Sequence, residues 1–107
     1  MSLRTEKVSN LIKELAANFL EKEASNISLI TVTGCEVSRD LKNAVVYFTV
    51  LPENKEKAAL DFVKRMRGNF RDYLKNNLEM RVLPFIDFEI DKNEKNRQRI
   101  DQLLAQK

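Results

Sequence analysis

The chain has no His, no Trp and a single Cys among its 107 residues, and only two Gly and two Pro. Without His there is no imidazole to act as general base, so neither Cys35 nor any Ser has the partner that activates a nucleophile. One Cys excludes an intrachain disulfide and a thiolate metal cluster, which suits a reducing compartment. Cys35 itself, set among Val and Thr, reads as a small core residue. With Gly34 and Gly68 far apart, there is no Gly-rich loop of the kind that cradles phosphates. Long apolar runs are missing too: Ala44 to Leu51 is the longest, far below the ~20 residues of a membrane span. The opening segment MSLRTEKVSN reaches charged residues at once and lacks the apolar core of a signal peptide. These absences predict a soluble cytoplasmic protein that is not an enzyme, with no cofactor, no metal, no membrane partner and no small-molecule substrate.

Hydrophobic residues make up 43% of the chain and charged residues 33%, the balance of a folded chain with a well-charged surface. The length suits one domain over residues 1–107 with a single core. A formal net charge of +3 favours an acidic partner such as nucleic acid, provided the cations cluster. No apolar surface stripe is left over to demand a second copy, so a monomer is expected.

From Thr5 to Glu23, Val8, Leu11, Ile12, Leu15, Phe19 and Leu20 form one stripe of an amphipathic helix, with Ser2 or Thr5 placed to cap it. Leu29 to Val37, rich in Ile, Val and Thr, is a strand. Ile30 and Val32 hold one phase along it, while Cys35 and Val37 hold the other. Either a bulge at Gly34 separates the two phases, or the strand is buried on both faces and phase carries no information. Turn residues Ser38-Arg39-Asp40 and Lys42-Asn43 lead into a second strand, Ala44 to Leu51. Two strands so close in sequence pair as a hairpin, and the run AVVYFTVL suits a central strand covered on most of both faces. Pro52-Glu53 then opens a helix.

Ala59 to Leu78 carries apolar residues at helical steps, Ala59, Val63, Met66, Phe70, Leu74 and Leu78, on both sides of Gly68. Glycine disfavours a helix interior, so the pattern predicts two helices meeting at a kink at Gly68. Phe70 lies on the apolar stripe and is core; Tyr73 is open to either core packing or base stacking. The stretch also holds Lys64, Arg65, Arg67, Arg71 and Lys75. On composition alone these form a solvated helix face, since Asp61 and Asp72 stand at ion-pair spacings. After an extended connector that ends at Pro84, Phe85 to Asp91 alternates, with Ile86, Phe88 and Ile90 facing the core and Asp87, Glu89 and Asp91 forming a wet acidic face, not a metal site. Residues 92–107 read as a polar tail with a short helix. The order, helix, strand, strand, helix, helix, strand and tail helix, predicts an α+β fold with a three-stranded mixed sheet and helices packed on one face.

That order is the one type II KH domains use, and the residues go further. VTGCEVSRDLKNAVVYFTVL, Val32 to Leu51, closely resembles the signature of the bacterial ribosome-binding factor A family, V-[ST]-G-x-E-x-S-x-D-L followed by an Ala and an alternating strand. Gly68 with Phe70-Arg71, and then Met80-Arg81-Val82-Leu83-Pro84, are similar to that family's later helix break, basic helix and R-[IV]-x-P entry to the last strand. The resemblance covers essentially the whole chain. It implies a type II KH-like fold and a non-enzymatic factor that binds free or immature small ribosomal subunits through rRNA, in subunit maturation and 16S rRNA processing, often mattering most in the cold. It also turns the reading of the cations toward RNA: Arg39, Lys42, Lys64, Arg65, Arg67, Arg71, Lys75 and Arg81 are the expected contacts. A KH-like protein-interaction module and a general single-stranded RNA binder are the alternatives. Two departures stand out. Met66-Arg67-Gly68 replaces both the G-x-x-G loop of KH domains and this family's Ala/Ser-x-Gly, so a four-nucleotide clamp is not expected. Ser25-Asn26-Ile27-Ser28 replaces the family's Asp-Pro-Arg before the first strand.

Overall fold

A computed structural model describes residues 3–23 and 29–92. Its elements are α1 (Leu3–Glu23), β1 (Leu29–Val37), β2 (Asn43–Leu51), a 3-10 turn at Glu53–Lys55, α2 (Glu56–Arg65), α3 (Arg67–Asn77) and β3 (Phe85–Ile90). The sheet order is β1-β2-β3, with β1 antiparallel and β3 parallel to the central β2. Parallel neighbours need a crossover, and α2 with α3 supplies it, so the helices come to lie on one face of a mixed α+β sheet. The expected tail helix and Ser2 lie outside the described residues.

The two phases of β1 are resolved by a bulge. Val32 pairs with Phe48 and Gly34 with Tyr47, which leaves Thr33 as the extra residue. Ile30 and Val32 before it, and Cys35 and Val37 after it, therefore all pack against the same core. Gly34 has no positive φ, and a Cβ there would meet nothing within 4 Å, so the bulge does not require glycine. On β2, Ala44, Val46, Phe48 and Val50 are sealed, whereas Val45, Tyr47 and Thr49 are half-buried. One face of the central strand is thus fully covered and the other partly so.

In α1 the buried stripe is Val8, Ile12, Ala16, Phe19 and Leu20. Leu11, expected in it, stays 40% exposed at the margin of the stripe. Thr5 is buried inside the helix instead of capping it, because it shares the helical face of Ile12 and Ala16. Aromatic rings join the layers. Phe70 of α3 packs 5.2 Å from Phe19 of α1 and 5.5 Å from Phe88 of β3, and Phe88 in turn meets Phe48 of β2 at 6.5 Å, centroid to centroid. Tyr73 is half-buried, 5.4 Å from Phe19, and so belongs to this cluster.

The break between α2 and α3 falls at Met66, not at the predicted Gly68. Met66 has φ −87° and ψ 3°, outside the helical well, while its N–H still donates to the carbonyls of Phe62 and Val63. Its own carbonyl accepts from Phe70 N–H at 2.9 Å and so starts α3. Gly68 lies in the first turn of α3, exposed and with open space around its Cα. The apolar stripe nevertheless runs unbroken, with Ala59, Val63, Phe70, Leu74 and Leu78 all buried.

Two substitutions test this packing. Phe70→Ala removes the ring that three elements share and is expected to cost about 3–5 kcal/mol, read as a lower urea midpoint at unchanged slope. Gly68→Ala is expected to leave stability unchanged or raise it by up to about 1 kcal/mol, read as an unchanged or higher midpoint, since alanine fits the helical backbone better there. A lower midpoint for Gly68→Ala would show that the bend depends on glycine.

Candidate nucleic-acid interface

Six of the eight predicted cations fall into three groups. Lys64 and Arg67, at the end of α2 and the start of α3, both turn to Asp87 on β3. Lys64 Nζ lies 3.6 Å and Arg67 Nη1 3.3 Å from Asp87 Oδ1. Arg67 is steered further by its Nε, which donates to the Lys64 carbonyl at 3.2 Å, and its guanidinium carbon sits 6.0 Å from the Phe85 ring centroid. The same Asp87 oxygen accepts from Phe88 N–H at 2.9 Å. That N–H points to the open side of an edge strand, so Asp87 caps it while holding two cations over the edge. Both cations keep 40% of their side-chain surface exposed, so the pairs are of the surface kind, each worth about 0–1 kcal/mol.

Arg71, Lys75 and Arg81 form the second group. Phe70 and Leu74 point into the core, so Arg71 and Lys75, one position later on α3, lie beside the buried stripe. There they line a groove of about 240 Å³ with Arg81 and Val82 of the connector. Lys42 belongs to a third group, in an adjoining groove of about 700 Å³ that Arg4, Arg81 and Val82 also line, together with Asp40 and Glu79. Arg81 and Val82 border both grooves, which makes the connector a shared wall. Arg4 is not among the residues the sequence points to, because a lone cation in the first turn of a helix carries no periodic signal. Arg39, at the hairpin tip, and Arg65, at the end of α2, are exposed and line neither groove.

The loop that presents Lys42 is well held. Ser38 N–H donates to the Asn43 carbonyl at 2.8 Å, and Leu41 N–H to the Ser38 carbonyl at 2.9 Å. Asp40 Oδ1 accepts from Ser38 Oγ at 2.6 Å and from Lys42 N–H at 3.0 Å, and these bonds hold its carboxyl below the ordinary value. Within this frame Leu41 takes a left-handed φ of 61°, uncommon for a residue with a Cβ.

The acidic face of β3 is drier than its alternation suggests. Asp91 is buried, and its carboxylate accepts from the hydroxyl of Thr33, the bulged residue two strands away. Asp87 is half-buried and paired, which leaves Glu89 as the exposed member of the three. Among the described residues no group of three or more His, Cys, Asp or Glu is placed to hold a metal ion, and no described helix is long and apolar enough to cross a membrane.

With the geometry in view, comparison with known proteins gives a family. A family model described as Ribosome-binding factor A matches residues 4–104. This chain belongs to the ribosome-binding factor A family. The family is one of ribosome-binding factors and is not a known class of enzyme. A ribosome-binding factor A from Macrococcus caseolyticus is 30% identical over 109 aligned residues, 99% of this chain and 96% of the relative. The solution structure of a putative ribosome binding factor A from Thermotoga maritima superposes with a TM-score of 0.69 at 27% identity, over 83% of this chain and 88% of that one. Coordinates of the Thermus thermophilus ribosome binding factor A, fitted into a cryo-EM map of its 30S complex, match with a TM-score of 0.61 at 23% identity, over 84% of this chain and 93% of the other, a likeness of fold alone.

Within the family's fold, Cys35 is structural. It is half-buried against the core, and burial, followed by the nearby Glu36 charge, pushes its thiol from 9.0 up to about 12. The reactive form is the thiolate. At pH 8 the folded protein is therefore expected to react with iodoacetamide at least about a hundredfold more slowly than the urea-unfolded chain, as followed by mass spectrometry. Equal rates would show that the thiol is open to solvent.

Proposed function

We propose that this chain binds the free or immature small ribosomal subunit through the phosphates of its 16S rRNA, and that it acts in subunit maturation, including 16S rRNA processing, as a cytoplasmic, non-catalytic, monomeric single-domain factor. Family membership supports the partner. The observation that carries the contact surface is the convergence of Arg71, Lys75, Arg81, Lys42 and Arg4 on two grooves that share one wall. Cations at fixed positions along a groove suit a folded RNA, whose phosphates keep a fixed spacing. Arg39 and Arg65 add exposed charge at the margins, and Lys64 and Arg67 keep enough exposure to meet a phosphate beside Asp87. A general single-stranded RNA binder fits less well. It needs a close backbone approach where this chain has a half-buried Met66 and two cations drawn to the strand edge.

Reversing Arg71 and Arg81 to Glu is expected to weaken cosedimentation with free small subunits at least about tenfold, at an unchanged melting temperature. The slope of log affinity against log salt should fall by about one for each phosphate that is no longer neutralised. Undiminished binding would exclude the two grooves. Wild-type protein that stays at the top of a low-salt gradient would remove the subunit as partner and favour a protein-interaction module.

A further inference from the structure

Among the exposed large apolar side chains, two pairs stand at different places on the sheet. Leu29 and Leu51 face each other across β1 and β2 at the end where β1 begins. Val82, 73% exposed, and Phe85, 57% exposed, lie instead in the connector and at the first position of β3, where the cations gather. Val82 lines both grooves, and Phe85 N–H donates to the carbonyl of Lys42 at 2.8 Å, which ties the ring's backbone to a residue of the larger groove.

The surroundings of Phe85 are unusual for a stray surface ring. The Arg67 guanidinium lies over it, 6.0 Å from the centroid, and is held there by Asp87 and by the Lys64 carbonyl. Asp87, the carboxylate two residues along the strand, is paired with two cations and does not repel an anion as a free carboxylate would. Across the sheet Phe85 is in register with Asn43, which is exposed and small beside a ring. The result is a single aromatic surface, open to solvent and bordered by positive charge.

We infer that Phe85, steadied by Arg67, is a stacking platform for one unpaired base of the rRNA. This rests on the function proposed above and adds to it a contact with a base, where the grooves offer contacts to phosphates. Charge and shape together select the occupant: an apolar peptide offers nothing to Lys42 and Arg81 of the adjoining groove and a lipid headgroup offers no flat face to the ring, whereas a nucleotide supplies a π-face for Phe85 and a phosphate for those cations. Stacking on Phe is sequence-tolerant, because every base has a π-face, so the platform serves to fix the position of a strand and not to read its sequence.

The test uses Phe85→Ala, Phe85→Tyr and Phe85→Trp in the full chain, with free small subunits as the ligand. Phe85→Ala is expected to weaken binding about tenfold, with an unchanged salt slope because the ring neutralises no phosphate. Phe85→Tyr keeps the ring and is expected to bind as the natural chain does. The chain has no Trp, so Phe85→Trp gives it a single indole, whose emission, read as the difference from the unsubstituted chain mixed with the same subunits, a stacked base quenches. Unchanged binding by Phe85→Ala overturns the inference, as does a blue shift without quenching in Phe85→Trp, which marks burial against protein. If Arg71→Glu and Arg81→Glu weaken binding while the Phe85 variants are silent, the platform falls and the phosphate contacts stand. If the unsubstituted chain fails to bind, both fall together.

Discussion

The placement of α3, and with it of the cations proposed to meet RNA, depends on how Phe70 packs. Its ring meets Phe19 on one side and Phe88 on the other, so a single buried side chain fixes one helix against another and both against the sheet. Leu74, one turn on, extends the contact, and both residues are fully buried. Once those two positions point inward, helix geometry leaves no choice for their neighbours: Arg71 and Lys75 emerge about 100° further round, beside the connector that carries Arg81. The cationic groove is a by-product of core packing, not of charge arranged for its own sake. That is why a domain with a net charge of only +3 can offer a coherent positive surface.

A second constraint acts at the free edge of β3. A parallel edge strand exposes unpaired N–H groups, which invite pairing with another strand. Here Asp87 takes up one of those groups, Phe88 N–H, and draws Lys64 and Arg67 to the same edge. Occupying part of the edge in this way makes it a poorer site for pairing with another strand. The connector side, where cations and exposed apolar surface coincide, is the surface proposed for RNA.

Much of this was legible in the sequence because it follows short periods. Strand boundaries, the hairpin, the central place of Ala44 to Leu51 and the core role of Phe70 all come from repeats of two or of three to four residues. Even the bulge left a trace: Val32 and Cys35 fall in opposite phases, and both can face one core only if a residue between them is unpaired. What was not legible depends on contacts distant in sequence. Arg67 and Asp87 are twenty residues apart, and nothing local says that they meet. Asp91 reads as a wet carboxylate until Thr33, fifty-eight residues earlier, is placed against it. Glycine drew attention to position 68, but the chain turns at Met66, where the stripe passes from α2 to α3 and packing decides the dihedrals.

The split among the cations also bears on how strongly such a surface holds RNA. Lys64 and Arg67 already have a partner, so a phosphate that meets them must compete with Asp87, and few counterions are released there. Five cations along the two grooves, each placed on a phosphate, give a slope of about −3.5 with the single-strand coefficient and about −4.5 with the duplex one in log affinity against log salt. A rise from about 50 to 200 mM salt then weakens binding by roughly 100- to 500-fold. A surface of that size is a modest polyelectrolyte contact. It does not by itself distinguish one RNA from another, since phosphates position a protein without specifying a sequence. On the proposed reading, discrimination comes from the fixed geometry of the two grooves and their shared wall, which suits an rRNA surface whose phosphates are already spaced to match. The rigidity that Phe70 gives α3, and the hydrogen-bonded loop gives Lys42, would be the physical source of that selectivity.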